Sequence, residues 1–174
     1  MLRLNKIRYG KHLRLLGWPF VFRFKGANIA IGNDVTINSS FFSNLLGLNH
    51  RTIIIAKKTG EIIIGDGVGI SGATIYAWER IEIGNGTLIG ANVNIIDNDF
   101  HPVDPQARLE HNNNAVLTAP VTIGNNVFIG MNTIILKGTQ IGNNCVVGAG
   151  SVVHGKFEDN CVIAGNPAKV IKKL

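Results

Sequence analysis

Several residue types are scarce in this sequence, and their scarcity excludes several classes of protein. Only 16% of the 174 residues are charged, against about 25% in typical domains. The two cysteines, Cys145 and Cys161, cannot build a disulfide framework, and no CxxC or CxxH spacing indicates zinc. The apolar stretch at residues 15–22 is too short for a membrane span, which needs about 20 residues. We therefore expect one folded domain in a reducing, cytoplasmic compartment.

The net charge of +6 comes from the N-terminal end of the chain. Residues 1–25 hold seven Lys or Arg and no acid, whereas residues 26–174 hold ten bases and eleven acids. The near-neutral body argues against nucleic-acid binding. We predict that residues 1–25 form a basic arm capping a domain at residues 26–174. The aromatic residues among its bases leave open a peripheral contact with anionic lipid at the inner face of the membrane.

The excess of glycine and asparagine indicates a repeat with tight corners. Glycine accounts for 21 residues. Ile-Gly followed by Asn or Asp recurs five times, at Ile31, Ile64, Ile83, Ile123 and Ile141. Beneath it, aliphatic residues repeat every six positions, which fits neither a helix nor a plain alternating strand. A six-residue period fits a flat rung followed by a corner, where Gly, Asn and Asp best tolerate left-handed backbone.

The spacing between copies of the repeat locates one interruption. Ile123 to Ile141 is 18 residues, enough for one coil of three rungs, and Ile83 to Ile123 is 40. The remaining 22 residues are assigned to an extruded loop at about 98–118. The register of residues 38–60 stays open because that stretch follows no period. The periodic part predicts roughly six to seven stacked coils at about 4.8 Å each.

Three segments resemble the hexapeptide-repeat acyltransferases, in particular their sugar O-acetyltransferase branch. They are Phe100-His101-Pro102-Val103, Pro120–Gly130 and Ala164–Ile171. The resemblance implies an all-β fold, a left-handed parallel β-helix of hexapeptide repeats with the extruded loop and a short C-terminal helix or tail. It also implies a homotrimer with active sites between subunits, acetyl-CoA as cosubstrate and no metal.

Acetyl transfer to a hydroxyl needs a base, and histidine is the commonest one near neutral pH. His101 opens the extruded loop and matches the family's catalytic His-Pro-Val, so the resemblance makes it the general base. We expect Asp99 to orient His101 or to hold a sugar hydroxyl. Other acids close by in sequence leave that choice open: Asp97, Asp104 and Glu110.

The resemblance also assigns a cofactor groove along the C-terminal coils. It places Phe128 and Met131 beside the thioester, with the Met131 N–H as a candidate oxyanion donor. The remaining positions are Gly130 and Gly148 at the corners, Ala149 and His154 along the pantetheine arm, and Lys169 and Lys172 near the phosphates. His154 departs from the family, which often has Thr there.

The sequence therefore predicts an acetyl-CoA-dependent O-acetyltransferase acting on a sugar or glycan hydroxyl in surface-polysaccharide synthesis. An N-acetyltransferase acting on an amino sugar, a nucleotide-amino sugar or an antibiotic is the alternative, since the same base serves both. A carbonic-anhydrase-like β-helix would need closely spaced His ligands, and an ice-binding solenoid would need a regular outward Thr array. The sequence has neither pattern.

Overall fold

A computed structural model describes residues 6–174, which form three parallel sheets wound as a left-handed β-helix. We name the sheets A, B and C in the order in which each coil visits them. Sheet A contains β1 (Arg8–Tyr9), β4 (Asn28–Ile31), β7 (Glu61–Ile64), β10 (Arg80–Ile83), β13 (Val121–Ile123), β16 (Gln140–Ile141) and β19 (Lys156–Phe157).

Sheet B ends in the one antiparallel pair among the named strands. It contains β2 (Arg14–Gly17), β5 (Thr36–Ser39), β8 (Gly69–Ser71), β11 (Leu88–Ile89), β14 (Phe128–Ile129), β17 (Val146–Val147), β20 (Cys161–Gly165) and β21 (Ala168–Lys173). Sheet C contains β3 (Phe20–Arg23), β6 (Ile53–Ala56), β9 (Thr74–Ala77), β12 (Asn94–Ile96), β15 (Ile134–Ile135) and β18 (Val152–Val153).

The six-residue period places one aliphatic side chain of each rung in the core. Ile83 is in register with Ile64 on one side and Ile123 on the other, and all three are fully buried. Each such side chain contributes about 1.5–3 kcal/mol through burial. The predicted β-helix, its period and its approximate number of coils are thus confirmed.

A ladder of side chains explains the Ile-Gly-(Asn/Asp) motif. The corner between sheets A and B is called the A–B edge. Here the side-chain oxygen of each Asn or Asp accepts a hydrogen bond from the backbone N–H of the corresponding residue in the preceding coil. Asn125 Oδ1 accepts from Asn85 N at 2.8 Å, and Asn143 Oδ1 accepts from Asn125 N at 2.8 Å. The preceding glycine is required by close approach, since a Cβ on Gly84 would lie 2.5 Å from the Gly124 carbonyl carbon.

The solenoid starts earlier than predicted. Strands β1, β2 and β3 pair in parallel with β4, β5 and β6, so the basic segment is itself the first coil. The boundary predicted between residues 25 and 26 therefore does not separate an arm from the domain. This coil could not be recognised from the sequence because residues 6–25 contain no Ile-Gly-Asn corner. Residues 1–5 of the predicted arm lie outside the described residues.

Two insertions interrupt the coils. Residues 97–120 connect β12 to β13, and an isolated antiparallel bridge between Asn98 and Thr118 closes the neck of this loop where the sequence predicted it. Residues 40–52 connect β5 to β6, which explains the irregular register there. The larger loop holds the five-residue helix α1 (Pro105–Leu109), and no helix in residues 6–174 is long and apolar enough to cross a membrane.

The C-terminal segment is a strand, so of the predicted short helix or tail the helix is wrong. Strand β21 turns back and pairs antiparallel with β20. It includes Val170 and Ile171, whose β-branched side chains favour a strand over a helix. This pairing also covers the last strand of sheet B, which would otherwise present unpaired backbone groups.

Candidate active site

The neck of the extruded loop is built around the buried carboxylate of Asp97. Its two oxygens accept hydrogen bonds from the backbone N–H groups of Trp78 and Glu79, both at 2.8 Å, and Asn98 Nδ2 donates to it at 3.0 Å. Asp97 is fully buried, so it is a structural residue. It fixes the corner between sheets C and A, the C–A edge, from which the loop leaves the coil.

The loop that follows is held together by its own side chains. Asp104 caps α1 by accepting from Ala107 N at 2.7 Å, and the Arg108 guanidinium donates to the carbonyl of Pro102 at 2.9 Å and to that of Val103. Glu110 accepts from Gln106 at 2.7 Å. The carboxylates of Asp104 and Glu110 are therefore used within the loop and do not contact His101.

His101 is exposed at the start of the loop and lines a pocket of about 440 Å³ at the C–A edge. Its backbone N–H donates to Asp99 O at 2.6 Å. Among residues 6–174 its imidazole has no hydrogen-bond partner. The other lining residues are Lys57, Lys58, Tyr76, Trp78, Phe100 and Asn113. Sequence reasoning missed the two lysines and Trp78, because they precede the recognised loop by one or two coils.

The carboxylate of Asp99 contacts Lys137 instead of His101. Lys137 Nζ lies 2.8 Å from Asp99 Oδ1, and both side chains are about three-quarters buried. The second oxygen, Asp99 Oδ2, is buried and has no hydrogen-bond partner among the described residues. The expectation that Asp99 orients His101 through its side chain is therefore not met within one chain. The main-chain contact and the position of the loop are what link the two residues.

A second pocket, of about 350 Å³, lies at the corner between sheets B and C, the B–C edge. It is lined by five of the predicted cofactor residues: Phe128, Gly130, Met131, Gly148 and Ala149. The structure brings these residues together because each lies at or beside the same corner in successive coils. The pocket is mostly apolar, and the Phe128 ring is half exposed beside it.

The insertion at residues 40–52 supplies one wall of this groove, through Asn44 and Leu46. Asn92 anchors it: Asn92 Oδ1 accepts a hydrogen bond from Asn49 N at 2.8 Å. Asn92 is buried and has a φ of 60°, a conformation that asparagine tolerates better than most residues. Sequence reasoning missed this wall because the stretch follows no period.

His154 and the two C-terminal lysines lie at different places around the groove. His154 is at the C–A edge, where its ring nitrogen is 3.1 Å from Lys137 O, so within one chain it is separated from Ala149. Lys169 is in register with Ala164, whose Cβ is next to Gly148, and Lys172 is exposed further along β21. Lys173 is paired with Glu158 at 2.6 Å, and this hydrogen bond holds the pKa of the Glu158 carboxyl below its usual value.

One pocket lies at the B–C edge and the other at the C–A edge, so the strands of sheet C run from one pocket to the other. Within a single chain the predicted base and the predicted cofactor residues therefore do not meet. The outward face of sheet C between them is mostly apolar and only partly exposed: it includes Ile55, Tyr76, Ile96 and Ile134 alongside Thr74 and Asn94. The outward face of sheet A is polar, with Arg80 paired to Glu61 and Glu82.

Comparison with known proteins identifies similar acetyltransferases. The family model for the hexapeptide repeat of succinyl-transferase matches residues 120–154. A putative lipopolysaccharide biosynthesis O-acetyl transferase of Escherichia coli, WbbJ, is 38% identical over 98% of this chain and 83% of its own length. The galactoside O-acetyltransferase of Escherichia coli is 40% identical over 58% of this chain, which spans about half of that enzyme, 48%.

Solved structures of similar fold contain coenzyme A. A galactoside acetyltransferase in complex with coenzyme A matches 95% of this chain and 65% of its own, with a TM-score of 0.56 and 27% identity. A mutant of AntD, an N-acyltransferase from Bacillus cereus, in complex with dTDP-4-amino-4,6-dideoxyglucose and coenzyme A, matches 98% of this chain and 87% of its own. Its TM-score is 0.73 at 25% identity.

Proposed function

The chain belongs to the hexapeptide-repeat acetyltransferase family, and on that premise we propose that it moves the acetyl group of acetyl-CoA to a sugar hydroxyl in surface-polysaccharide synthesis. The observation that carries the proposal is the position of His101. Its free imidazole lines a pocket of about 440 Å³ at the mouth of the extruded loop. The likeness to WbbJ along nearly the whole chain supports the sugar acceptor and the polysaccharide role.

His101 would act as the general base. Its imidazole takes the proton of the acceptor hydroxyl as the oxygen attacks the thioester carbonyl carbon of acetyl-CoA. The carbon–sulfur bond then breaks, and the coenzyme A thiolate leaves and takes up that proton. Such proton transfer contributes about 10²–10⁴-fold to the rate. The acidic residues of the loop are engaged elsewhere, which leaves His101 as the one ionisable group of the loop that faces this pocket.

The groove at the B–C edge fits the cosubstrate. Acetyl-CoA supplies the acetyl group as a thioester, and its pantetheine arm is long and narrow, with apolar segments between its two amide groups. The walls contributed by Leu46, Phe128 and Met131 suit such an arm, and Lys169 and Lys172 lie on the same sheet, beyond Gly148, as candidates for the phosphates. The Met131 backbone N–H remains the candidate donor to the developing oxyanion.

The separation of base and groove supports a homotrimer with its active sites between subunits. The apolar outward face of sheet C lies between the two pockets, and burying it against neighbouring copies would bring the C–A edge of one subunit to the B–C edge of the next. His154, which lies at the C–A edge, would then line a neighbour's groove instead of its own. In this arrangement His101 and His154 of one subunit would lie beside the acetyl-CoA groove of the next, as their predicted roles require.

Transfer to an amine is the second candidate activity. It is favoured by the likeness to AntD, which is an N-acyltransferase and covers nearly the whole chain. The same imidazole could accept a proton from an attacking amine. A panel containing both sugars and amino sugars distinguishes the two activities.

The proposed location is cytoplasmic, with a peripheral contact at the inner face of the membrane through the first coil. Trp18 is 78% exposed and Leu16 is 44% exposed in this coil. Arg14 and Lys11 lie close to them in sequence. A basic surface with exposed apolar side chains suits an anionic lipid headgroup layer.

The test measures thioester consumption and product mass with a panel of sugars and amino sugars. His101→Ala should lower kcat/KM at least 100-fold and leave the KM for acetyl-CoA unchanged. His111→Asn is the matched control in the same loop, since asparagine tolerates the φ of 52° at that position. Unchanged turnover of His101→Ala would overturn the assigned base.

A further inference from the structure

Resting on the proposed acetyl transfer at His101, we propose that the acceptor carries a phosphate or diphosphate group next to its sugar. Lys57 and Lys58 would bind that group. The pocket then has a reactive end at His101 and an anion-binding end at the two lysines, with aromatic side chains between them.

The charge of the pocket is the first argument. Of its seven lining residues two are lysines and none is an acid. Among residues 6–174 neither lysine forms an ion pair, whereas Lys137 and Lys173 are each paired with a carboxylate. Two adjacent ammonium groups without a counter-charge repel each other. The counter-charge that this pocket lacks is therefore one that a ligand can bring.

The ring of Trp78 positions the two ammonium groups. Lys58 Nζ lies 4.0 Å from the centre of the ring and Lys57 Nζ lies 5.1 Å from it, within the range of a cation–π contact. Trp78 is only 7% exposed, so its ring is held in place by the surrounding residues and contacts both lysine side chains. The cations are thus held together at the rim of the pocket.

The spacing along the C–A edge suits a sugar joined to a phosphate. Lys57 and Lys58 follow β6, Trp78 follows β9, and the loop of His101 follows β12, so these residues occupy successive coils. Two coils correspond to about 10 Å. Tyr76 and Phe100 lie between the two ends, with ring centres 5.0 Å apart, and offer apolar faces to a sugar ring.

Phosphate fits the lysines better than an uncharged sugar does. Lysine is a strongly hydrated point charge and a common ligand of phosphate. A neutral acceptor would leave both charges unmatched. The shared chemistry is a sugar phosphate or diphosphate, and the attached group, a nucleoside or a polyprenyl chain, would extend out of the pocket past the lysines.

The experiment compares acceptors on the full chain. Wild type is assayed with acetyl-CoA and a UDP-hexose, a prenyl-diphosphate hexose, the hexose 1-phosphate, the free hexose and the corresponding uronic acid. We expect kcat/KM for at least one phosphorylated acceptor to exceed that for the free hexose and the uronic acid tenfold or more. Whether the UDP or the prenyl form is preferred identifies the source of the diphosphate. Equal use of the free hexose would overturn the proposal.

Two double variants isolate the lysines. In Lys57→Gln/Lys58→Gln, the KM for the phosphorylated acceptor should rise at least tenfold, with kcat and the KM for acetyl-CoA changed less than twofold. The control, Lys156→Gln/Lys173→Gln, removes the same charge from exposed positions outside the pocket and should match wild type. An unchanged KM in the first variant would refute the anion site.

A binding measurement separates this proposal from the proposed function. Calorimetric titration with inorganic pyrophosphate needs no turnover, and saturating coenzyme A is present throughout so that the phosphate site proposed at Lys169 and Lys172 is already filled. Binding that is present in wild type and lost in Lys57→Gln/Lys58→Gln supports the anion site even if no sugar is acetylated, in which case only the proposed function fails. Binding that survives in the double variant contradicts the site, whatever the activity.

Discussion

Lys137 Nζ donates a 2.8 Å hydrogen bond to Asp99 Oδ1 across 38 residues of sequence. The bond ties the residue two positions before His101 to the corner of the next coil. It is the one ion pair among residues 6–174 that joins the extruded loop to the solenoid. The position of the proposed base therefore depends on a lysine that the sequence does not mark as functional.

Lys137→Met should destabilise the fold and reduce activity. It leaves the Asp99 carboxylate mostly buried without a partner, at a cost of about 1–3 kcal/mol, and a chain of this size loses about 2–4 °C of Tm per kcal/mol. Lys173→Met is the control, because it breaks a pair whose side chains are 68% and 82% exposed and should shift Tm by about 1 °C or less. Equal shifts in the two variants, measured by thermal unfolding, would argue against a special role for the Asp99 pair.

Asn92→Gly should release the wall of the acetyl-CoA groove. Glycine accepts the φ of 60°, so the variant removes the side-chain anchor without straining the backbone. We expect faster hydrogen exchange at residues 44–50 and a KM for acetyl-CoA raised several-fold. Asn132→Gly is the matched control, since Asn132 has a φ of 57° at the next corner of the same edge but no side-chain bond to the insertion. If both variants behave like wild type, Asn92 does not shape the groove.

Ile96→Asp should disrupt the proposed trimer. A carboxylate in the middle of the apolar face of sheet C is costly to bury without a partner. Light scattering should give three times the 18.8 kDa chain mass for wild type and one chain mass for the variant. Thr122→Asp places the same charge on the polar face of sheet A and should remain trimeric. A monomeric but active wild type would exclude sites shared between subunits.

The two thiols should be inert in the folded protein. Cys145 and Cys161 are fully buried, and burial raises the pKa of the Cys145 thiol. The folded state therefore keeps Cys145 protonated at a pH where the unfolded thiol ionises, above about 8.5. Ionisation of this thiol in the unfolded chain therefore lowers the free energy of unfolding as the pH rises above that value, and has no effect below it. A thiol reagent at pH 8 should label neither cysteine until denaturant is added, and rapid labelling of the native protein would contradict this.

The features that repeat could be predicted from the sequence, and those that depend on contacts between coils could not. The loop at 98–118 followed from counting residues between Ile83 and Ile123, because each coil must close in whole rungs. The partner of Asp99 could not be deduced, because Lys137 reaches it only through stacking of one corner on the next. Lys57 and Lys58 are likewise adjacent to the loop only in the folded coils.

The ends of the chain were less predictable for a different reason. The first coil carries no Ile-Gly-Asn corner, so its strands are recognisable only by their pairing with β4, β5 and β6. At the other end, the motif around Ala164 identified the family but left the secondary structure of Val170 and Ile171 open. The groove residues from Phe128 to Ala149 were predicted through the family resemblance, and the stacking of successive coils explains why five of them line one pocket.

The side-chain ladder lies at the A–B edge, where the turns are regular, whereas the other two edges each carry an insertion. Between β4 and β5, and again between β7 and β8, the turn there has four residues, and no insertion leaves from this edge among residues 6–174. A longer turn would break the hydrogen bonds that each Asn or Asp side chain accepts from the backbone of the preceding coil. Both insertions, and both pockets, occur at the other two edges. New binding or catalytic residues can therefore be added to this scaffold by lengthening the turns at those two edges, while the ladder at the A–B edge maintains the register between coils.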